Sequence, residues 1–228
     1  MDRLIASGQV RLGWIGIHVQ PMTANIAAAL RLPTDSGSII TRVDADSPAE
    51  HARLTGGDVI VGVDGNDMPG PRALNRKIAS LAIGSTGHIN LWRAGNQLTL
   101  PVIIGALPSD SIAPRQGVGL DPSANSHISR GDLGLSLAPL TDDARARLGM
   151  DARQAGVLVQ DVATNSTAWE RGIASRSVIV MVDGQPVTSP TDVLQLIEDA
   201  EKNKRAFVLL LVEGARGLRW IPLPLKPS

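Results

Sequence analysis

Two segments of this sequence set a glycine between aliphatic residues at the mouth of a strand-like run. One is RLGWIGIHV, Arg11 to Val19, centred on Ile15-Gly16-Ile17. The other is RGDLGLSLAPL, Arg130 to Leu140, with Leu133-Gly134-Leu135. The chemistry on offer there belongs to the backbone. Successive N–H groups in a tight loop form a nest that binds an anion, and glycine lets the chain turn and approach without a Cβ clash. Aliphatic neighbours would wall a pocket, and the following strand would offer an edge to an extended peptide. Taken singly, such a segment is more often merely a bulge or a close backbone approach in a strand. Its occurrence twice is the stronger sign.

Side-chain chemistry is sparse. The chain has no cysteine, which excludes disulfides, thiolate metal sites and cysteine nucleophiles. His18, His51, His88 and His127 are scattered, and no pair has metal-ligand spacing. Gly37-Ser38 and Gly84-Ser85 lack the flanking glycines of a serine-nucleophile motif. Asp142 and Asp143 sit at a helix start, where carboxylates complement the dipole. Neither Gly-Lys-Ser/Thr nor GxGxxG occurs, so no phosphate loop is present. No catalytic residue, metal or cofactor is expected. Lys plus Arg equals Asp plus Glu at 22 each, which leaves no basic footprint for nucleic acid. No apolar run is long enough to span a bilayer, and the opening MDRLIASGQVRLG lacks the apolar centre of a signal peptide.

The elements that would position these loops come in duplicate. DVIVGVDGNDMPGPRALNRKIAS from Asp58 aligns without a gap with SVIVMVDGQPVTSPTDVLQLIED from Ser177, a spacing of 119 residues. RVDADSPAEHARL from Arg42 and DVATNSTAWERGI from Asp161 keep the same spacing, whereas Gly16 and Gly134 are 118 apart. One copy per compact unit means tandem domains. The boundary lies in the Pro-, Ser- and Gly-rich run Ala106 to Gly131. The expected division is 1–107 (with a short linker over 1–10), a linker over 108–129, and 130–228. In the first half, strands are expected at Ile15–Gln20, Ser38–Val43, Asp58–Val63, His88–Trp92 and Gln97–Ile103. Asp64-Gly65 reads as a tight turn. Ser47, Pro48 and Glu50 read as the capping box of a short helix. A second helix runs from Pro71 with Leu74, Ile78 and Leu81 on one stripe; its counterpart starts at Ser189-Pro190 and carries Val193, Ile197 and Ala200. Ala206 to Val212 reads as a buried strand. With one Phe, four Trp and no Tyr in a chain that is 43% hydrophobic, Val, Ile, Leu and Ala must build the cores.

Short strands, one small and one amphipathic helix, and an aliphatic-Gly-aliphatic segment opening each half resemble the PDZ domain. The order, with that segment first and a final strand after the long helix, resembles the circularly permuted bacterial form. Gly56 to Gly65, GGDVIVGVDG, is similar to a signature of those domains. RGDLGL from Arg130 resembles the opening found in HtrA/Do-like (Deg family) serine proteases, and Met1 to Val10 resembles the helix joining protease to PDZ domain there. The resemblance covers nearly the whole chain and implies the tandem PDZ portion of such a protease, without its protease domain. The fold implied is mostly β with two helices per domain: two permuted PDZ-type, partly open β-barrels in tandem.

The family likeness also implies roles. The amides of Ile15, Gly16 and Ile17 would hold a ligand's terminal carboxylate, and Ile17–Gln20, with His18 and Val19, would pair with the peptide. Leu74, Ile78 and Leu81 would close the pocket, with Trp14 beside the loop. In the second domain the matching residues are Leu133, Gly134, Leu135, Val193, Ile197 and Ala200. The aliphatic walls suit an apolar last residue. Implied partners are C-termini or extended segments of unfolded proteins, the parent's protease domain, and copies of the same chain. The implied role is non-catalytic recruitment of substrates and regulation of the protease in periplasmic protein quality control. A docking or assembly module that binds no peptide is the rival, as is a fragment named for a serine endopeptidase parent. Two departures stand out. Leu12 precedes Gly13 where the family has arginine, and Ser175 and Ser177 replace the usual Gly and Asp, altering a turn and not the groove.

Overall fold

The two Val-rich runs ahead of the Asp-Gly pairs lie inside the two large sheets of the computed structural model, which describes residues 12–107, 128–130, 133–151 and 154–225. The chain forms two compact units. One is Met1–Thr23 with Thr34–Ala113, and the other is Ala24–Pro33 with Pro114–Ser228.

In chain order the first repeat supplies β1 (Gly13–Trp14), β2 (Ile17–Pro21), α1 (Ala24–Leu30), β3 (Ser38–Val43), α2 (Pro48–His51), β4 (Val59–Val63) and β5 (Asn66–Asp67), then α3 (Pro71–Ser80), β6 (Thr86–Arg93), β7 (Asn96–Ile103) and β8 (Gly105–Ala106). The second supplies β9 (Ile128–Arg130), β10 (Leu135–Pro139), α4 (Asp142–Leu148), β11 (Val157–Val162), α5 (Thr167–Glu170), β12 (Val178–Val182) and β13 (Gln185–Pro186), then α6 (Pro190–Lys202), β14 (Phe207–Gly214) and β15 (Gly217–Pro224).

The first sheet has the order β2-β3-β4-β6-β7, with β5 paired to β4, and β1 pairs separately with β8. The second runs β15-β14-β12-β11-β10-β9, with β13 on β12. All these pairings are antiparallel, and neither sheet closes into a barrel. In both units the helix after the Asp-Gly turn buries its apolar stripe in the aliphatic core: Leu74 and Ile78 from α3, and Val193, Ile197 and Ala200 from α6. The Asp-Gly turns share an anchor. The Asp64 carboxylate accepts from the His88 N–H at 2.8 Å, and the Asp183 carboxylate from the Leu209 N–H at 2.9 Å.

Among the described residues each repeat has one helix more than the two per domain expected: α1, which no sequence signal marked, and α4, whose start was read at Asp142 and Asp143. Alpha-4 is capped by Thr141, whose hydroxyl accepts from the Ala144 N–H, with Asp142 and Asp143 in its first turn as the dipole favours. Helix α1 belongs to the second unit, where it lies along β14 and β15 and the Ala29 carbonyl accepts from Arg205. The Ser47 cap forms, but Glu50 reaches back to the Asp46 N–H instead of closing a reciprocal box on Ser47. The reciprocal box is complete at α6: Ser189 Oγ accepts from the Asp192 N–H, and the Asp192 carboxylate accepts from the Ser189 N–H.

Hydrogen bonds from the Thr188 and Ser189 amides and hydroxyls hold the Asp192 carboxyl down to about 2, from 3.8. A depressed carboxyl stabilises the fold above its unfolded value and loses that contribution as pH falls through the folded value. The start of α6 is therefore expected to loosen between about pH 4 and pH 2. A far-UV circular dichroism acid titration against Asp192→Asn checks it: the two proteins should differ above that window and converge below it.

The repeats differ at one buried pair. Asp58, with its side chain 1% exposed, receives Arg93 Nε at 2.7 Å and Nη2 at 2.6 Å, and the Thr55 N–H at 2.9 Å. The register of β12 on β14 puts Ser177 and Gly214 in the corresponding places, and a Cβ on Gly214 would lie 3.2 Å from Ser177 Oγ. Acid and base are replaced together, so neither charge is left buried without a partner.

Candidate functional site

In the first unit the loop between β1 and β2 is held from behind by its own carbonyls. The Ile15 carbonyl accepts from the Ala49 N–H at 2.8 Å, and the Gly16 carbonyl from the Asp44 N–H at 2.9 Å. Among the described residues, the amides of Ile15 and Gly16 donate to no backbone carbonyl. Gly16 has φ +80°, and a Cβ there would stand 2.3 Å from Ser47 Cβ, so glycine meets both a torsional and a steric demand. Gly13 is a second requirement that the sequence pattern did not single out. A Cβ on it would lie 2.4 Å from the Ile78 carbonyl and 3.0 Å from that of Leu81, which sets β1 against the end of α3. The clue was a glycine two residues before the marked segment.

Beta-2 is an edge strand. Beta-3 pairs with one side, and no described strand pairs with the other. The expected pocket residues divide into two sets. Ile15, Leu74 and Ile78 are buried in the core, whereas Ile17, Val19 and Leu81 are partly exposed and pack against it. The accessible apolar rim is therefore Ile17, Val19 and Leu81, with the other three beneath it. His18 faces the opposite side of β2 from Ile17 and Val19. It is exposed, and its Nε2 lies 2.9 Å from Asp44 Oδ1 and 2.8 Å from Arg42 Nη2. Nε2 accepts from Arg42 when the ring proton is on Nδ1 and donates to Asp44 when Nε2 carries one. Trp14 is half-buried. Its ring lies over the loop glycine, 3.0 Å from where a Gly16 Cβ would be, and near Gly105 of β8. Of the other histidines, His51 and His88 are exposed on α2 and β6, and His127 lies outside the described residues, as do Met1 to Arg11.

The second loop repeats the first. The Leu133 carbonyl accepts from the Ala168 N–H at 3.2 Å and the Gly134 carbonyl from the Ala163 N–H at 2.9 Å. Gly134 has φ +71°, with its would-be Cβ 2.1 Å from Ser166 Cβ. Here the strand edge is not free, because β9 pairs with β10: Leu135 stands opposite Arg130, Ser136 opposite Ser129 and Leu137 opposite Ile128. Leu135 and Leu137, the counterparts of Ile17 and Val19, are buried, as are Leu133, Val193, Ile197 and Ala200. Ser175 and Ser177 lie away from this edge, in the turn that leads into β12; Ser175 Oγ donates to Asp161 Oδ1 at 3.3 Å. Trp169 is exposed on α5 and Trp220 is buried in β15. Among the described residues no group of three His, Asp or Glu is placed to hold a metal, and no helix is long and apolar enough to cross a membrane.

Twice, a glycine loop opens into a strand that faces a helix, the arrangement of a strand-addition domain. A PDZ-domain family model matches residues 13–104 and a second PDZ-domain model matches residues 158–211; the chain belongs to the PDZ family, as two domains in tandem. Over 99% of its length it is 35% identical to a probable periplasmic serine endoprotease DegP-like protein of Rhizobium meliloti and 30% identical to one of Bartonella henselae. It spans 43% and 42% of those relatives' lengths. A solved structure, the HtrA-type protease AlgW with decapeptide, aligns with 44% of this chain and 31% of that one at 31% identity and a TM-score of 0.41. The two domains and these relatives are consistent with the PDZ region of an HtrA-type protein.

Proposed function

We propose that the chain is a non-catalytic peptide-binding module. Its first domain captures extended C-termini that end in an apolar residue, and it delivers unfolded proteins to an HtrA-type serine protease. The observation that carries this reading is the loop at Ile15-Gly16, whose carbonyls are tied back while its amides are left to an anion beside the open edge of β2. A carboxylate is costly to desolvate without donors, and such a nest supplies them. The ligand's backbone then extends the sheet along β2, with its side chains over Ile17, Val19 and Leu81. The relatives are named periplasmic serine endoproteases, which supports a periplasmic setting beside such a protease, and a part in protein quality control belongs to the same proposal. The division at 1–107, 108–129 and 130–228 belongs to the same reading.

The test is a panel of short peptides ending in Val, Leu, Phe or Ala, each with a free or an amidated terminus, followed by anisotropy and by Trp14 fluorescence. Binding that needs the free carboxylate and perturbs Trp14 is expected. Absence of binding by every peptide, with the fold intact, would leave docking or assembly as the module's role. Cleavage of casein by the purified chain would overturn the non-catalytic assignment.

A further inference from the structure

We propose that the second domain carries its own ligand: Ile128–Arg130 fills the strand-addition edge of β10, and the groove takes a peptide only when that segment is displaced. This rests on the peptide-binding reading above. A ligand whose carboxylate sits at Leu133–Leu135 must run toward the loop, whereas β10 runs away from it, so the two are antiparallel. Beta-9 has this direction. Arg130 stands opposite Leu135, the first residue after the loop glycine, and Ile128 stands opposite Leu137 further along. The segment therefore takes a ligand's place and polarity, except that its chain continues into the loop instead of ending there. The first domain is the internal control. Its loop carbonyls are anchored in the same manner, its edge has no described partner, and Ile17 and Val19 remain partly exposed where Leu135 and Leu137 are sealed.

Two variants of the whole chain test this. In a strand, consecutive amides point to opposite edges, so one of residues 129 and 130 donates toward β10, and Ser129→Pro with Arg130→Pro removes it. Ser129 and Ser136 are directly opposed, within disulfide reach. The chain has no cysteine of its own, so Ser129→Cys with Ser136→Cys gives one defined lock. Calorimetry with a free-carboxylate valine peptide should find one equivalent bound to the parent chain. The proline pair should gain a second equivalent, about tenfold or more tighter there than the parent, since a groove open a tenth of the time binds ten times more weakly. The oxidised cysteine pair should stay at one, and reduction should return it to parent behaviour. One equivalent bound by both parent and proline pair would overturn the proposal while leaving the first groove standing. If no peptide binds at all, the peptide reading fails, and hydrogen exchange then decides this one. Amides of Leu135–Pro139 that exchange faster in the proline pair keep β9 as the cover of that edge; equal rates overturn it.

Discussion

Alanine at position 16 is expected to destabilise the first unit by about 3 kcal/mol and, on the function proposed above, to abolish binding of a peptide carboxylate. Two effects add. A non-glycine residue at φ +80° costs on the order of 1–2 kcal/mol. The new Cβ would also stand 2.3 Å from Ser47 Cβ, and Ser47 is fully buried where it caps α2, so loop or helix start must move. Gly65→Ala is the control, because it has φ +74° but open space around the new atom. It should cost only the torsional share, about 1–2 kcal/mol. Gly16→Ala combined with Ser47→Gly should recover the steric share, since glycine is nearly as good an N-cap as serine, within a few tenths of a kcal/mol. Urea melts of the four proteins give the stabilities. A Gly16→Ala protein no less stable than Gly65→Ala would show that Ser47 is not the wall.

Arg93→Ala is expected to cost about 3 kcal/mol, because it leaves the Asp58 carboxylate buried without its counter-charge. The guanidinium is bound to both carboxylate oxygens, which raises its pKa through the hydrogen bonds with Asp58. The double change Asp58→Ser with Arg93→Gly copies the arrangement of the second unit and should cost less than Arg93→Ala alone. Thermal melts decide it. A double variant as unstable as the single one, or more so, would mean that the pair contributes net stability beyond mutual neutralisation.

The duplication and most strands were legible because the signals are local. Val59–Val63 and Val178–Val182 combine β-branched runs with Asp-Gly turns, and Ser47, Ser189 and Pro190 mark helix starts by hydrogen bonding that the adjacent residues dictate. Helix α1 was not legible. Its seven residues are too few to hold a helix alone, and burial of Ile26, Ala27 and Ala29 comes from tertiary cover. Beta-9 was read as the end of a linker for a similar reason: three residues become a strand by pairing with β10, not by propensity. In the groove, a stripe of Leu74, Ile78 and Leu81 cannot say which member reaches the surface. One apolar period serves both the core and the rim, and only Leu81 emerged at the rim.

The pairing of Gly13 with Ala106 and Trp14 with Gly105 joins nearly the first and last described residues of the first repeat. On a ribosome this has a consequence of timing. The loop at Ile15-Gly16 leaves the exit tunnel ahead of the rest of its repeat, and the strand that fixes its leading side is translated only after that. A nascent chain therefore displays β2 before its loop is held on both sides, and the loop is fixed as Ala106 emerges. Within that repeat the loop made first is the last to be fixed in place.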